Sequence, residues 1–357
     1  PSRSRDGTHR PARPFEPVRR AGPTSPKAAI EMLRFLLRRT LGSLVILVLL
    51  TVVAFLLFFG MPRDPALLMC GKTCTPDALA NIHRTLGIDK SVPEQFWIFL
   101  HGLVAGRDDF AQGPCPAPCF GYSYHTNEQV WSTLMDRLPL TVSLALGATV
   151  VFLFVGLGTG MLAAWRRGTL VDKSFTAGSM VLSSMQIYFL GPLALAVLVY
   201  QTHLFDEPRY TELTADPVAW FSGLMIPWVV LSTIFAAQYT RMARSSMIEQ
   251  LQEEHIRTAR AKGMSRRYVF FRYAWRGSLI PIVTILGIDL SSLLGGAIIT
   301  EYTFGLPGLG HLAVESVQFS DLPLLLGVML FAAAVILLCN IAVDACYAFI
   351  DPRVRLS

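Results

Sequence analysis

The chain has 357 residues, 52% of them hydrophobic and only 16% charged, and its 31 Lys and Arg against 25 Asp and Glu leave a formal net charge of +6. That balance excludes an ordinary soluble domain and describes a polytopic membrane protein. The basic residues do not cluster with aromatics on a soluble face, which excludes a nucleic-acid-binding role.

Residues 1–31 are rich in Pro and Arg and hold almost no large apolar side chains, so they cannot bury enough surface to fold alone. A disordered basic cytoplasmic tail is expected there. Residues 32–61 carry the first membrane span; their apolar core is too long for a signal peptide and no small-x-small cleavage site follows. Apolar runs near Leu41–Phe59, Leu138–Trp165, Phe175–Tyr200, Phe221–Ala243, Gly277–Ile299 and Leu322–Ala348 each reach the ~20 residues that cross a bilayer. The expected fold class is therefore an all-α membrane protein with six transmembrane helices and both termini on one side. Arg34, Arg38 and Arg39 before the first span, Arg166, Arg167 and Lys173 after the second, and Arg353 and Arg355 at the end place those sides in the cytoplasm. The opposite loop 202–219 is acidic, with Asp206, Glu207, Glu212 and Asp216 against Arg209.

Residues 62–136 form a large extracytoplasmic loop. Thr75-Pro76-Asp77 opens a helical pattern through Leu86, ended by Gly87, which reads as a small lid. Cys70 and Cys74, and Cys115 and Cys119, are two C-x3-C pairs in an oxidising compartment; disulfides are favoured over zinc, because the spacing is not that of zinc ribbons and no histidine is suitably close. Three connectivities remain open. Gly71-Lys72-Thr73 is not a phosphate-binding loop, since the glycine that motif needs five positions earlier is Ala66. Cys339 and Cys346, inside the last span, read as packed apolar side chains.

Residues 137–357 form the core domain, with five spans and a charged segment at 249–276. Glu253 to Gly263 holds good helix formers closed by a glycine suited to the left-handed C′ position. Glu253 precedes Arg257 by four, the favourable order for a helix ion pair. Ile256, Ala259 and Gly263 share one weakly apolar face, expected to admit the surface of another protein, with Arg257, Arg260 and Lys262 pairing with acidic groups around its groove. This is a docking helix.

Within the spans, Gly156 and Gly160, and Gly287, Ser291 and Gly295, repeat small residues every four and mark close helix contacts. Asp289 lies amid the fifth span with Ser292 and Gly296 on its face; such a carboxylate is either a pathway residue or a buried group paired with another helix. The run from Glu301 through Phe304, Pro307 and Gly308 to Gly310 makes a turn at membrane depth, tolerable only where it lines a cavity or is buried in protein. Asn340, Asp344 and Tyr347 read as a structural polar cluster.

Thr258, Ala259 and Gly263 followed by Ile280-Pro281 resemble the coupling-helix signature of ABC importer permeases, and Arg257-Thr-Ala-Arg-Ala-Lys-Gly263 resembles the B-type permease of dipeptide, oligopeptide and nickel importers. The resemblance runs from Met32 through most of the chain. The general pattern's glutamate is Arg257 here and its first Leu-Pro pair is Trp275-Arg276, both usual in the peptide branch. It implies that Glu254, Arg257, Thr258, Ala259, Arg260, Ala261, Lys262 and Gly263 dock into an ATPase cleft, and that Glu301 to Gly310 is the extracytoplasmic gate loop. Asp289 departs from the uncharged amide frequent there. The implied machine has a second homologous permease, two ATPase subunits that hold the ATP and Mg, and an extracytoplasmic substrate-binding protein, working by alternating access. This chain then binds no cofactor of its own and catalyses no reaction. Peptide is the implied cargo, with nickel, glutathione or another small solute as alternatives. The reading from a different class is a carrier driven by an ion gradient with Asp289 as its coupling carboxylate, for which inverted repeats are missing. An intramembrane enzyme lacks a paired catalytic set.

Overall fold

A computed structural model describes residues 26–59, 75–76, 90–108, 113–294 and 297–350. Among them every extended element is helical, and strand-like pairing is limited to the isolated bridges Arg107 to Cys115 and Tyr122 to Gln129. Cys70, Cys74, the 71–73 tripeptide, most of the expected lid helix, Gly295 and Gly296 lie outside the described residues.

The first helix, α1 (Pro26–Phe59), starts inside the segment 1–31 expected to be a disordered tail, so residues 26–31 are corrected to helix. A proline in the first turn suits this start, because it lacks an N–H where none is needed. The next described helix, α2 (Val92–Ala105), packs Phe96 and Phe99 on Phe55 of α1, with ring centroids 5.3 and 5.9 Å apart. Helix α3 (Val130–Trp165) begins eight residues before the expected span. Its 36 residues run to ~54 Å, so it projects beyond a ~30 Å hydrocarbon layer.

The expected third span is two helices, α4 (Leu170–Ser184) and α5 (Ile187–Ala194), the latter continuing with wider π-type bonding to Gln201. They meet at 97°. Met185 and Gln186 take extended backbone (ψ 126° and 148°), which ends one helix and redirects the next. Helix α6 (Pro217–Gln250) is capped by Asp216, whose carboxylate accepts the Val218 and Ala219 N–H groups at 3.0 and 3.1 Å. Helix α7 (Glu254–Ala261) follows, then a turn at Arg266–Tyr268, a π-type segment Val269–Ala274 and α8 (Trp275–Leu294). The path bends by 47° at Pro281, which removes a backbone donor inside the helix. The chain ends in α9 (Ile298–Thr303), α10 (Leu309–Gln318) and α11 (Leu322–Ile350). Helices α1, α3, α6 and α11 are long and apolar enough to span alone, and the two bent pairs bring the number to six if each is one span.

The core is the α3–α6 pair, and small residues set its spacing. A Cβ on Gly156 would lie 2.7 Å from Cβ of Tyr239, and one on Gly160 would lie 2.7 Å from Cβ of Ala243. The backbones therefore approach closely, as the four-residue repeat anticipates. Gly147 makes room for the Trp228 indole, whose Nε1 donates to the Ser143 carbonyl at 3.0 Å. The Thr159 and Thr240 hydroxyls meet at 2.8 Å. Gly287 gives the same close approach to Val343 between α8 and α11. Helix α4 is tied to α6 by Arg244, which donates to Asp172 at 2.5 and 2.9 Å while the Gly168 N–H donates to the same carboxylate at 3.0 Å. This fork satisfies a buried charge on both oxygens.

Candidate functional site

The docking segment sits at one end of the α3–α6 pair. Helix α7 closes as its sequence directs: Gly263 takes φ +77°, its N–H donates to Arg260 O at 3.0 Å, and the Met264 N–H reaches back to Ala259 O at 3.3 Å. Two expectations are corrected. Glu253 is the N-cap, its carbonyl accepting the Arg257 N–H at 3.2 Å, but with its own backbone extended its side chain makes no ion pair with Arg257 among the described residues. And the weakly apolar face turns inward, since Ile256 and Ala259 are buried with Ala164, Met247, Val269, Phe270 and Ala274 of this same chain. Ile256 is the one large apolar side chain of α7, and burying it on its own protein fixes the helix's rotation. Glu254, Arg257, Thr258, Arg260, Ala261, Lys262 and Gly263 are left exposed, and Ala259 is not. The surface available to a partner is thus the charged one. A base holds this helix in place: Arg266 lies 5.1 Å over the Trp165 ring and donates to the Trp165 carbonyl at 3.3 Å, and Ser265 caps the following turn. Trp165 and Arg266 are site residues that sequence reasoning missed, separated by a hundred positions.

At the opposite end of the bundle, the turn from Glu301 to Gly310 is organised by its first residue. Glu301 is fully buried, and its carboxylate accepts the Thr141 hydroxyl at 2.8 Å, the Gly310 N–H at 2.6 Å and the His311 N–H at 3.0 Å. The Leu309 N–H donates to the Thr141 hydroxyl at 3.0 Å. The first three N–H groups of α10 are therefore all satisfied, two by a carboxylate that also complements the helix dipole. Gly308, the N-cap, has no side chain of its own to do this. The space a Cβ would need at Gly308 is filled by the Glu301 carboxylate, and at Gly310 a Cβ would stand 2.5 Å from Cα of Ile298. Phe304 is buried in the main core while Pro307 stays exposed. Thr141, on α3, is the residue here that sequence reasoning missed.

Asp289 is half-buried on α8 and accepts the Tyr239 hydroxyl at 2.9 Å. Ser292, one turn on, is exposed. The loop before α3 is fastened at Asp321, which accepts Ser123 Oγ at 2.5 Å and the His125 N–H at 3.2 Å and caps α11 through Leu324 N–H at 3.3 Å. His125 stacks on Phe319 with centroids 3.9 Å apart. Burial and the nearby Asp321 carboxylate push the Tyr124 hydroxyl well above its ordinary value. In the same loop Cys115 and Cys119 are disulfide-bonded and buried beside Tyr122, and Arg107 and Cys115 exchange backbone bonds at 2.9 and 2.7 Å. Peptide mapping of non-reduced membranes prepared with a thiol-blocking reagent should recover Cys115 linked to Cys119; four freely alkylated loop thiols would contradict it. Cys339 is a free thiol.

No group of three or more His, Cys, Asp or Glu able to hold a metal occurs among the described residues. Among the described residues the chain is thus a helical bundle with two bent spans, a charged helix presented at one end and a capped turn at the other. Residues 156–356 match the family described as "Binding-protein-dependent transport system inner membrane component", and residues 32–145 match its N-terminal companion. The chain belongs to this family, whose members are multi-pass, non-catalytic inner-membrane permeases of ABC importers. It is 32% identical over 90% of its length, and 99% of the relative's, to a probable peptide ABC transporter permease of Sinorhizobium fredii. It is 30% identical over 91% of its length, and 99% of the relative's, to the dipeptide transport system permease of Escherichia coli. A chain from a structure of the inward-facing MetNI methionine ABC transporter superposes with a TM-score of 0.51, covering 62% of this chain and 97% of that one at 16% identity, a likeness of fold alone.

Proposed function

We propose that this chain is a peptide permease subunit, forming with a second, homologous permease the membrane path of an ATP-driven importer. The observation that carries this reading is near-complete coverage, in both directions, of relatives named as peptide and dipeptide permeases. The α7 end is then cytoplasmic, with both termini, and the Glu301–Gly310 turn and the disulfide loop face the opposite side, where a substrate-binding protein delivers its load. Exposed Glu254, Arg257, Thr258, Arg260, Ala261, Lys262 and Gly263 meet an ATPase subunit whose groove is acidic. ATP and Mg belong to two such subunits. Closure of the ATPase pair moves α7, and the Ile256 and Trp165–Arg266 contacts carry that motion into α3, α6 and α8. The 97° break between α4 and α5 exposes Gln186, Tyr188 and Phe189 on this chain alone, and backbone of that kind at membrane depth lines either the path or the second permease. Purification in mild detergent tests the reading: two ATPases and a second permease should accompany the chain, and vesicles carrying the four should take up a di- or tripeptide when ATP and the binding protein are supplied. A stable homo-oligomer that transports unaided would overturn it.

A further inference from the structure

Three helices meet at Asp289. Tyr239 of α6 is fully buried, packed on Phe152 of α3 with ring centroids 4.9 Å apart, and lies in the space that Gly156 leaves open. Its hydroxyl crosses to α8 and donates to Asp289 at 2.9 Å. The tyrosine is immobilised along its whole length, so it fixes where the carboxylate points. Among the described residues no cation pairs with Asp289, and that hydrogen bond is its side chain's one recorded partner. A carboxylate so placed in a span is too costly to face lipid. On the same helix Thr284, Ile288 and Ser292 recur every four residues as an exposed stripe, and Asp289 stands at its edge, one turn before Ser292. The rest of the carboxylate's hydrogen-bonding capacity has no partner among the described residues, and the exposed hydroxyl residues Thr284 and Ser292 stand on the same helix.

We infer that Asp289, oriented by Tyr239, is the point in the membrane path that accepts the protonated α-amino group of a passing peptide. This rests on the peptide-permease reading. A peptide with a free amino terminus carries one ammonium whatever its side chains, and a single carboxylate with one neutral hydroxyl partner retains the charge and the open lone pairs to receive it. A neutral tyrosine, unlike a lysine or arginine, leaves that charge uncompensated until the peptide arrives. The bound state is thereby favoured without a strong competitor to displace.

The test uses the complete importer in vesicles with its binding protein, offered trialanine or its des-amino analogue, propionyl-alanyl-alanine, at concentrations that saturate the binding protein as measured separately. The parent should take up trialanine faster than the analogue. Asp289→Asn should slow trialanine about tenfold, as loss of one hydrogen bond to a charged group implies, and leave the analogue's rate in place, so that the preference collapses. Asp289→Glu should restore part of the preference. Asp289→Lys, assayed with trialanine alone, should fall below Asn. An equal loss for both peptides would show a packing role and overturn the inference, as would a Lys variant no worse than Asn. Departure of the second permease from purified Asp289→Asn complexes would also overturn it, by revealing an ion pair between subunits. These failures leave the peptide reading standing. A parent complex that takes up neither peptide would overturn that reading and this inference with it.

Discussion

Glu301→Leu is expected to destabilise the assembled complex by several kcal/mol and to abolish uptake, although the substitution removes no apolar contact. Three donors aim at that carboxylate, from Thr141, Gly310 and His311, and each buried donor left without an acceptor costs about 1–3 kcal/mol. Leucine offers them nothing, and its side chain would take up the space that the carboxylate fills against Gly308. Glu301→Gln keeps one acceptor oxygen for the Gly310 and His311 N–H groups but turns its NH2 toward the Thr141 hydroxyl, which must then accept from it as well as from the Leu309 N–H, so it should fall between the two. Thermal unfolding of the detergent-purified complex, followed beside vesicle uptake, checks the order parent, Gln, Leu. A Leu variant that melts with the parent would mean that the α10 N-terminus is satisfied in some other way.

Sequence made the all-helical membrane class and the position of the short charged helix legible, because each is written in local composition: apolar runs of span length, a charged break between two of them, and a glycine where a helix must end. It was silent on what crosses the chain. Nothing near Glu301 announces Thr141, which lies 160 positions away. The same holds for Trp165 with Arg266 and for Tyr239 with Asp289. The inward turn of Ile256 and Ala259 was misread for a related reason. A helix of eight residues shows which positions share a face, but not whether the protein's own core or a partner covers it. The 97° break was hidden because Met185 and Gln186 carry neither glycine nor proline, so the apolar run continued across it unmarked.

Gly263→Glu is expected to leave membrane insertion intact while weakening ATPase retention roughly tenfold to a hundredfold and cutting uptake more deeply than ATP hydrolysis. Two causes add. At φ +77° a residue with a Cβ costs about 1 kcal/mol, and that alone should make Gly263→Ala mild, since open space surrounds the position in this chain. Glutamate adds bulk and negative charge on the surface shared with Arg257, Arg260 and Lys262, where the proposed partner groove is acidic, and opposed like charges at an interface cost several kcal/mol more. The spans are untouched, because α7 stays anchored by buried Ile256 and Ala259 while Gly263, just past the helix end, is exposed with open space around it. Hydrolysis belongs to the partner and can persist when the joint slips, whereas transport needs the joint to carry motion. Pull-down of the ATPases beside uptake in vesicles separates the two. Full uptake by Gly263→Glu would mean that the exposed face of α7 is not where the ATPase drives this permease.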